Sequence, residues 1–145
     1  MSERLNVGAV QPAAYQAMAA LEKYLSTTGI DPLHKELIKI RASQINGCAY
    51  CVNAHTQDAR RLGETEQRIN LIAVWRESPQ FTEAERTILA LTEEVTLISK
   101  QGVSDDTYNK AMAVFGEATT AQLLMAIVTI NAWNRIGVST RMKPE

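Results

Sequence analysis

The stretch "INGCAYCVNAH", Ile45 to His55, holds both cysteines of the chain and one of its two histidines. On a helix, Cys48 and Cys51 stand one turn apart, roughly 60° around the axis, and His55 lies about 40° from Cys51 on the same face. Two sulfurs so placed come within disulfide reach. Cys48 falls at the start of that helix, where free backbone N–H groups and the macrodipole favour an anion. The thiolate is the nucleophilic form of cysteine. A histidine one turn on can take the thiol proton, or stand as imidazolium beside the sulfur. Glu36, one helix earlier across the Asn46-Gly47 turn, can orient that imidazole. Nucleophile, second thiol, base and orienting carboxylate together amount to a thiol redox centre.

Such a centre needs a helix beginning at Cys48 and another carrying Glu36 beside it. The pattern supplies both. "DPLHKELIKIRASQIN" opens with Asp31 as N-cap and Pro32 at the first helical position. Leu33, Leu37, Ile40 and Ile45 form its apolar stripe, and Asn46-Gly47 breaks it. The next helix runs through "AYCVNAHTQDARRL" and closes at Gly63. Around this pair, "PAAYQAMAALEKYLST" precedes Gly29, and "ETEQRINLIAVWRE" reads as one helix stopped by Ser78-Pro79. "TEAERTILALTEEVTLIS" opens with a capping box, Thr82 and Glu85, and ends before Gly102. "SDDTYNKAMAVF" runs from a Ser104 cap to Gly116, and "TTAQLLMAIVTINAWNRI" follows with a second expected box, Thr119 to Gln122. The expectation is an all-α fold of six to seven helices, with residues 1–145 as a single domain.

Composition narrows the function classes. Apolar residues make up 46% of the chain and aromatic residues 6%, and the formal net charge is -1. That balance offers no electrostatic footprint for nucleic acid or an anionic membrane. The most apolar segment, "AQLLMAIVTINAW", is interrupted by polar residues and too short to span a bilayer. The N-terminal residues lack the apolar run of a signal peptide, so the reading is cytoplasmic. In a reducing compartment, a close cysteine pair is better explained by chemistry than as a permanent staple.

Other readings of the same residues exist. Cys48, Cys51, His55 and His34 are four potential zinc ligands, although zinc-finger spacing places the histidine pair after the cysteines. A buried structural pair is another, since cysteine is often a core residue. A thioredoxin-like centre would need a βαβ pattern, which the chain lacks.

Taken together, "KELIKIRASQINGCAYCVNAHTQDARRLG" resembles the alkylhydroperoxidase D-like branch of the carboxymuconolactone decarboxylase superfamily, with support from "ERTILALTEEVT". The family motif is a glutamate, a turn and then Cys-x-x-Cys-x-x-x-His, matched here by Glu36, Cys48, Cys51 and His55. The resemblance implies an all-helical alkylhydroperoxidase D-like fold assembled as a homotrimer or homohexamer, acting as an antioxidant peroxidase. It implies that Cys51 attacks a hydroperoxide to give a sulfenic acid and that Cys48 condenses with it as a disulfide. Glu36 and His55 would relay the thiol proton. A dithiol or lipoylated protein would be the reductant, with no metal or flavin cofactor. The helix-dipole argument, by contrast, makes Cys48 the more acidic thiol. Tyr50, between the cysteines, departs from the histidine frequent there in the branch and cannot serve as a base near neutral pH. Two alternatives stay open: a non-enzymatic thiol redox sensor, and a helical assembly protein with a structural or zinc-bound Cys/His cluster.

Overall fold

The computed structural model describes every residue from Met1 to Glu145. It contains no strand, and the helices run α1 (Val7–Val10), α2 (Pro12–Ser26), α3 (Pro32–Asn46), α4 (Ala49–Arg61), α5 (Glu66–Leu71), α6 (Glu83–Thr96), α7 (Ile98–Gln101) and α8 (Asp105–Thr140). Helix α3 starts where its caps dictate: the Asp31 carboxylate accepts from Leu33 N–H at 2.8 Å, and Pro32 occupies the first turn. It stops at Gly47, which adopts φ 68°, ψ 32°. That left-handed residue lets Cys48 N–H reach back to Ser43 O at 3.0 Å, closing the helix and turning the chain directly into α4. Gly63 ends α4 in the same way, at φ 94°, with Glu64 N–H bonded to Ala59 O.

Helix α3 is the central element and is buried on two faces. Ile38 and Ala42 join Leu25, Ile88, Leu91, Leu123, Ile127 and others in one core. Leu37 and Ile40 look the other way, into a second core with Ala59, Ile72, Trp75, Phe81 and Leu89. The single stripe expected from Leu33, Leu37, Ile40 and Ile45 is therefore only half of the buried surface. Leu33 and Ile45 are themselves only partly buried.

Three details depart from the sequence reading. The segment after Thr65 is not one helix: α5 gives way at Ile72 to a 3-10 turn running to Glu77, with Val74 at φ -125°. The tighter winding buries both Ile72 and Trp75 and brings the Trp75 indole N–H to Glu93 at 2.6 Å. The Arg86 guanidinium then donates to the carbonyls of Trp75, Arg76 and Ser78, satisfying the groups that the shortened helix leaves open. Next, the expected break at Gly116 is present as a kink within α8, at φ 78°, ψ 174°. Thr119 and Gln122 make no capping box there; Thr120 Oγ1 instead donates to Ala111 O across the kink at 3.2 Å. The capping box at Thr82 and Glu85 is formed in both directions.

Lastly, α8 is 36 residues long, with a segment of mean hydropathy 1.5, long and apolar enough by those measures alone to cross a membrane. Its apolar residues Leu123, Ala126, Ile127 and Ile130 lie in the core against α3 and α6. It is the longest helix of the bundle, and 33% of its most apolar segment is buried in that packing.

Candidate redox site

The α3–α4 turn positions the cysteines. Cys48 is the N-cap of α4, and its Sγ accepts the N–H of Cys51 at 3.3 Å. The two residues are joined as a disulfide with a Cα–Cα distance of 5.3 Å, and only 2% of Cys48 and 4% of Cys51 is exposed. The turn is pinned from α8. Asn46 Nδ2 donates to Asn131 Oδ1 and Asn134 Oδ1 at 2.9 and 3.0 Å, and Asn134 Nδ2 donates to Ser43 Oγ at 2.9 Å. Asn134 is fully buried, so these bonds satisfy groups that would otherwise be costly to hide.

Gly137, one turn further along α8, lies against the sulfurs. A Cβ there would stand 3.0 Å from Cys48 Sγ and 3.6 Å from Cys51 Sγ. The glycine lets the backbone of α8 close over the disulfide.

Glu36 and His55 meet as the motif predicts. His55 Nδ1 lies 3.1 Å from Glu36 Oε2, and Lys39 Nζ lies 3.2 Å from the other carboxylate oxygen. With the Nδ1 proton donated to the carboxylate, Nε2 is left free to accept one. Burial pushes the Glu36 carboxyl up, but the His55 hydrogen bond and the Lys39 and His55 charges outweigh it, holding the group below its ordinary value. Asp58 Oδ2 stands 3.8 Å from His55 Nδ1 while its other oxygen pairs with Arg61.

His34 is not part of this group. Its charge acts on Glu85, in the separate cluster built around Arg68. The side chains that gather with His55 are Glu36 and Asp58, with ligand atoms within 4.8 Å of one another. The fourfold set of Cys48, Cys51, His55 and His34 is thus not assembled, and both carboxylates already hold cationic partners.

Cys51 and His55 line a cavity of about 330 Å³, with Ala54 beside them and Tyr15, Trp133 and Met142 opposite. Tyr15 and Trp133 meet edge to face, with centroids 5.3 Å apart, and Trp133 Nε1 donates to Glu22 at 3.0 Å. Tyr50 also lines this cavity. The sequence reading missed Asn134, Gly137, Tyr15 and Trp133. The available signals were polar residues and an isolated glycine inside the apolar helical run of α8.

Comparison with known proteins gives the same placement. Residues 12–94 match the carboxymuconolactone decarboxylase family. The uncharacterized protein YdfG of Bacillus subtilis is 40% identical over 139 residues, covering 96% of this chain and 95% of YdfG. ATU0492 of Agrobacterium tumefaciens, a protein of unknown function with a suggested AhpD-type role in antioxidant defence, superimposes with a TM-score of 0.96 at 42% identity, covering 99% of both chains. The debrominase Bmp8 shares the fold at 20% identity, with a TM-score of 0.84 over 94% of this chain and 74% of Bmp8. A cysteine-to-alanine variant of Bmp8 has been solved with 2,3,4-tribromopyrrole. The chain belongs to the carboxymuconolactone decarboxylase family, in its alkylhydroperoxidase D-like branch.

Proposed function

We propose that the protein is a thiol-dependent peroxidase that reduces organic hydroperoxides through Cys48 and Cys51. One observation carries the reading: Cys51 borders an apolar cavity together with His55, whose Nδ1 is held by buried Glu36 at 3.1 Å. In the reduced protein, His55 Nε2 takes the Cys51 thiol proton. The thiolate attacks the terminal peroxide oxygen, the O–O bond breaks, and the alkoxide recovers a proton from the imidazolium. Cys51 is then a sulfenic acid. Cys48, stabilised as thiolate at the helix N-terminus, attacks that sulfur and expels hydroxide, which leaves as water, and the disulfide forms. A dithiol, free or on a lipoylated partner, returns both thiols.

The acidity favoured at Cys48 suits a resolving thiolate, while the cavity and His55 favour Cys51 as the attacking one. The working form is proposed to be a homotrimer or homohexamer; light scattering that gives a 16.0 kDa monomer would overturn that part. Steady-state assays with a panel of hydroperoxides and dithiols test the function. Turnover is expected with organic hydroperoxides. A disulfide that cycles without consuming peroxide would leave the redox-sensor reading instead.

The aromatic lining of the cavity favours a second substrate class for the same sulfurs. Cys51 thiolate could take an electrophilic bromine from a bromoarene, the ring carbon gaining a proton, and Cys48 would then displace bromide as the disulfide forms. Bromide release in the same assay separates the two.

A further inference from the structure

We propose that Met142 is a second oxidation site of the protein, a thioether that takes oxygen from a hydroperoxide in the apolar cavity while Cys48 and Cys51 are joined. The proposal rests on the peroxidase reading for the substrate class that the cavity admits, but its chemistry needs neither thiol.

The end of α8 places this sulfur. Arg141 stands in the left-handed region at φ 58°, ψ 43°, the one residue other than glycine with a positive φ. A side chain makes that conformation costly, and glycine is usual there. Hydrogen bonds hold it on both sides. Arg141 N–H donates to Val138 O at 3.3 Å and Met142 N–H to Gly137 O at 3.0 Å. From the N-terminal segment, Arg4 N–H donates to Thr140 O and the Arg4 guanidinium to Ser139 O, both at 3.0 Å. In such a helix ending, the side chain after the left-handed residue usually packs on the residue five before it. Here that residue is Gly137, and sulfur takes the room it leaves. The position a Cβ would occupy at Gly137 lies 3.0 Å from Cys48 Sγ, 3.6 Å from Cys51 Sγ and 3.9 Å from Met142 Sδ. Three sulfurs surround one point. Two are buried in a disulfide, and the third belongs to a partly exposed residue.

Met142 lines the cavity with Cys51 and His55 and is its one thioether. A thioether is soft and polarizable and has no proton to lose before it reacts. Met142 Sδ attacks the terminal oxygen of the hydroperoxide. The S–O bond forms as the O–O bond breaks, and the departing alkoxide takes up the hydroxyl proton and leaves as alcohol. Sulfur gives two electrons and becomes a sulfoxide, which methionine sulfoxide reductases return to the thioether. The product is polar. Tyr15, Tyr50 and Met142 also line a second hollow, of about 250 Å³, together with Arg4, Asn6 and Lys143. The sulfoxide oxygen is an acceptor with donors on that side, so oxidation draws the side chain away from the disulfide.

The test uses the disulfide form with no reductant, in which no peroxidase cycle runs, so its failure and that of the peroxidase reading are separate results. The protein is treated with cumene hydroperoxide, and sulfoxide at each of its five methionines is followed by peptide mapping. Met18, Met112 and Met125 are partly buried like Met142 and serve as controls. Met142 should be oxidised about tenfold faster than any of them, a decade in rate. A Met142 rate at or below the controls overturns the proposal. Ala54→Leu, which narrows the cavity, should bring Met142 down to the controls and leave the controls unchanged. A Met142 that stays fast in that variant places the oxidant outside the cavity and overturns the proposal too. If Ala54→Leu does not fold, the comparison of the four methionines in the unaltered protein decides.

Discussion

Glu36, which is buried, and Glu93, which is partly buried, are two carboxylates on helices that pack together, and they differ in what holds them. Glu93 accepts from the Trp75 indole and the Arg76 guanidinium, both at 2.6 Å, and from Arg41 at 3.2 Å. Burial pushes its carboxyl up, and these donors and charges outweigh that and hold it down. Glu36 is held down by similar physics, but its partners are His55 and Lys39. A guanidinium keeps its proton in any ordinary medium, whereas an imidazole exchanges one near neutral pH. The Glu93 cluster ties the 3-10 turn to α6. The Glu36 pair is the one given the proton relay in the proposed function, and its His55 lines the cavity that Cys51 also lines. Burial and a depressed carboxyl mark both sites; the kind of partner separates them.

The sharpest break of that comparison comes at the sulfur. Cys51→Ser should abolish peroxide turnover, while Cys48→Ser should leave a sulfenic acid on Cys51 that a dimedone probe labels, read by mass spectrometry. Labelling of Cys48 in the Cys51→Ser protein, with none in the reverse variant, would exchange the roles.

Next come the two carboxylates. Glu36→Gln and His55→Ala should slow the peroxide reaction by about 10²–10⁴-fold, the usual scale of general-base loss. Glu93→Gln should leave the rate per folded molecule unchanged and lower stability by about 1–3 kcal/mol, the scale of a buried charge-assisted bond lost. Stopped-flow rates and denaturant melts on the three proteins give the answer. A Glu93→Gln rate that falls as far as that of Glu36→Gln would erase the distinction.

A smaller effect lies in the pH dependence. Glu36, Glu85 and Glu93 all have folded values below the ordinary 4.5. Each therefore contributes stability that is present above that value and is lost as pH falls through the lower folded one. The stability gap between wild type and Glu93→Gln should stay constant from neutral pH down to the ordinary carboxylate range and narrow only below it. Thermal melts across that range check the sign; a gap that widens on acidification would contradict it.

The local grammar of the fold was legible. Asp31-Pro32, the Thr82–Glu85 box, the stops at Gly47 and Gly63 and the kink at Gly116 depend on residues within a few positions of one another. The 3-10 winding at Ile72–Glu77 was not, because its reasons are Trp75 reaching Glu93 and Arg86 capping the carbonyls, contacts that no local pattern encodes. The site divides in the same way. The Cys48–Cys51–His55 face follows from helical spacing, Glu36 from its place one helix earlier across the Asn46-Gly47 turn, and the match to a known motif joined the four. Asn134, Gly137, Tyr15 and Trp133 come from α2 and α8, distant in sequence from the motif. In sequence they look like ordinary helix residues, and only packing shows what they touch.

Gly137 has a consequence for how the protein's state can be observed. Two thiols occupy more room than one disulfide, and the wall beside these sulfurs is the backbone of α8, with no side chain between to absorb the change. Reduction should therefore be felt by the amides of the last turns of α8. Their hydrogen–deuterium exchange would then serve as a label-free gauge of the sulfurs' oxidation state in the intact protein.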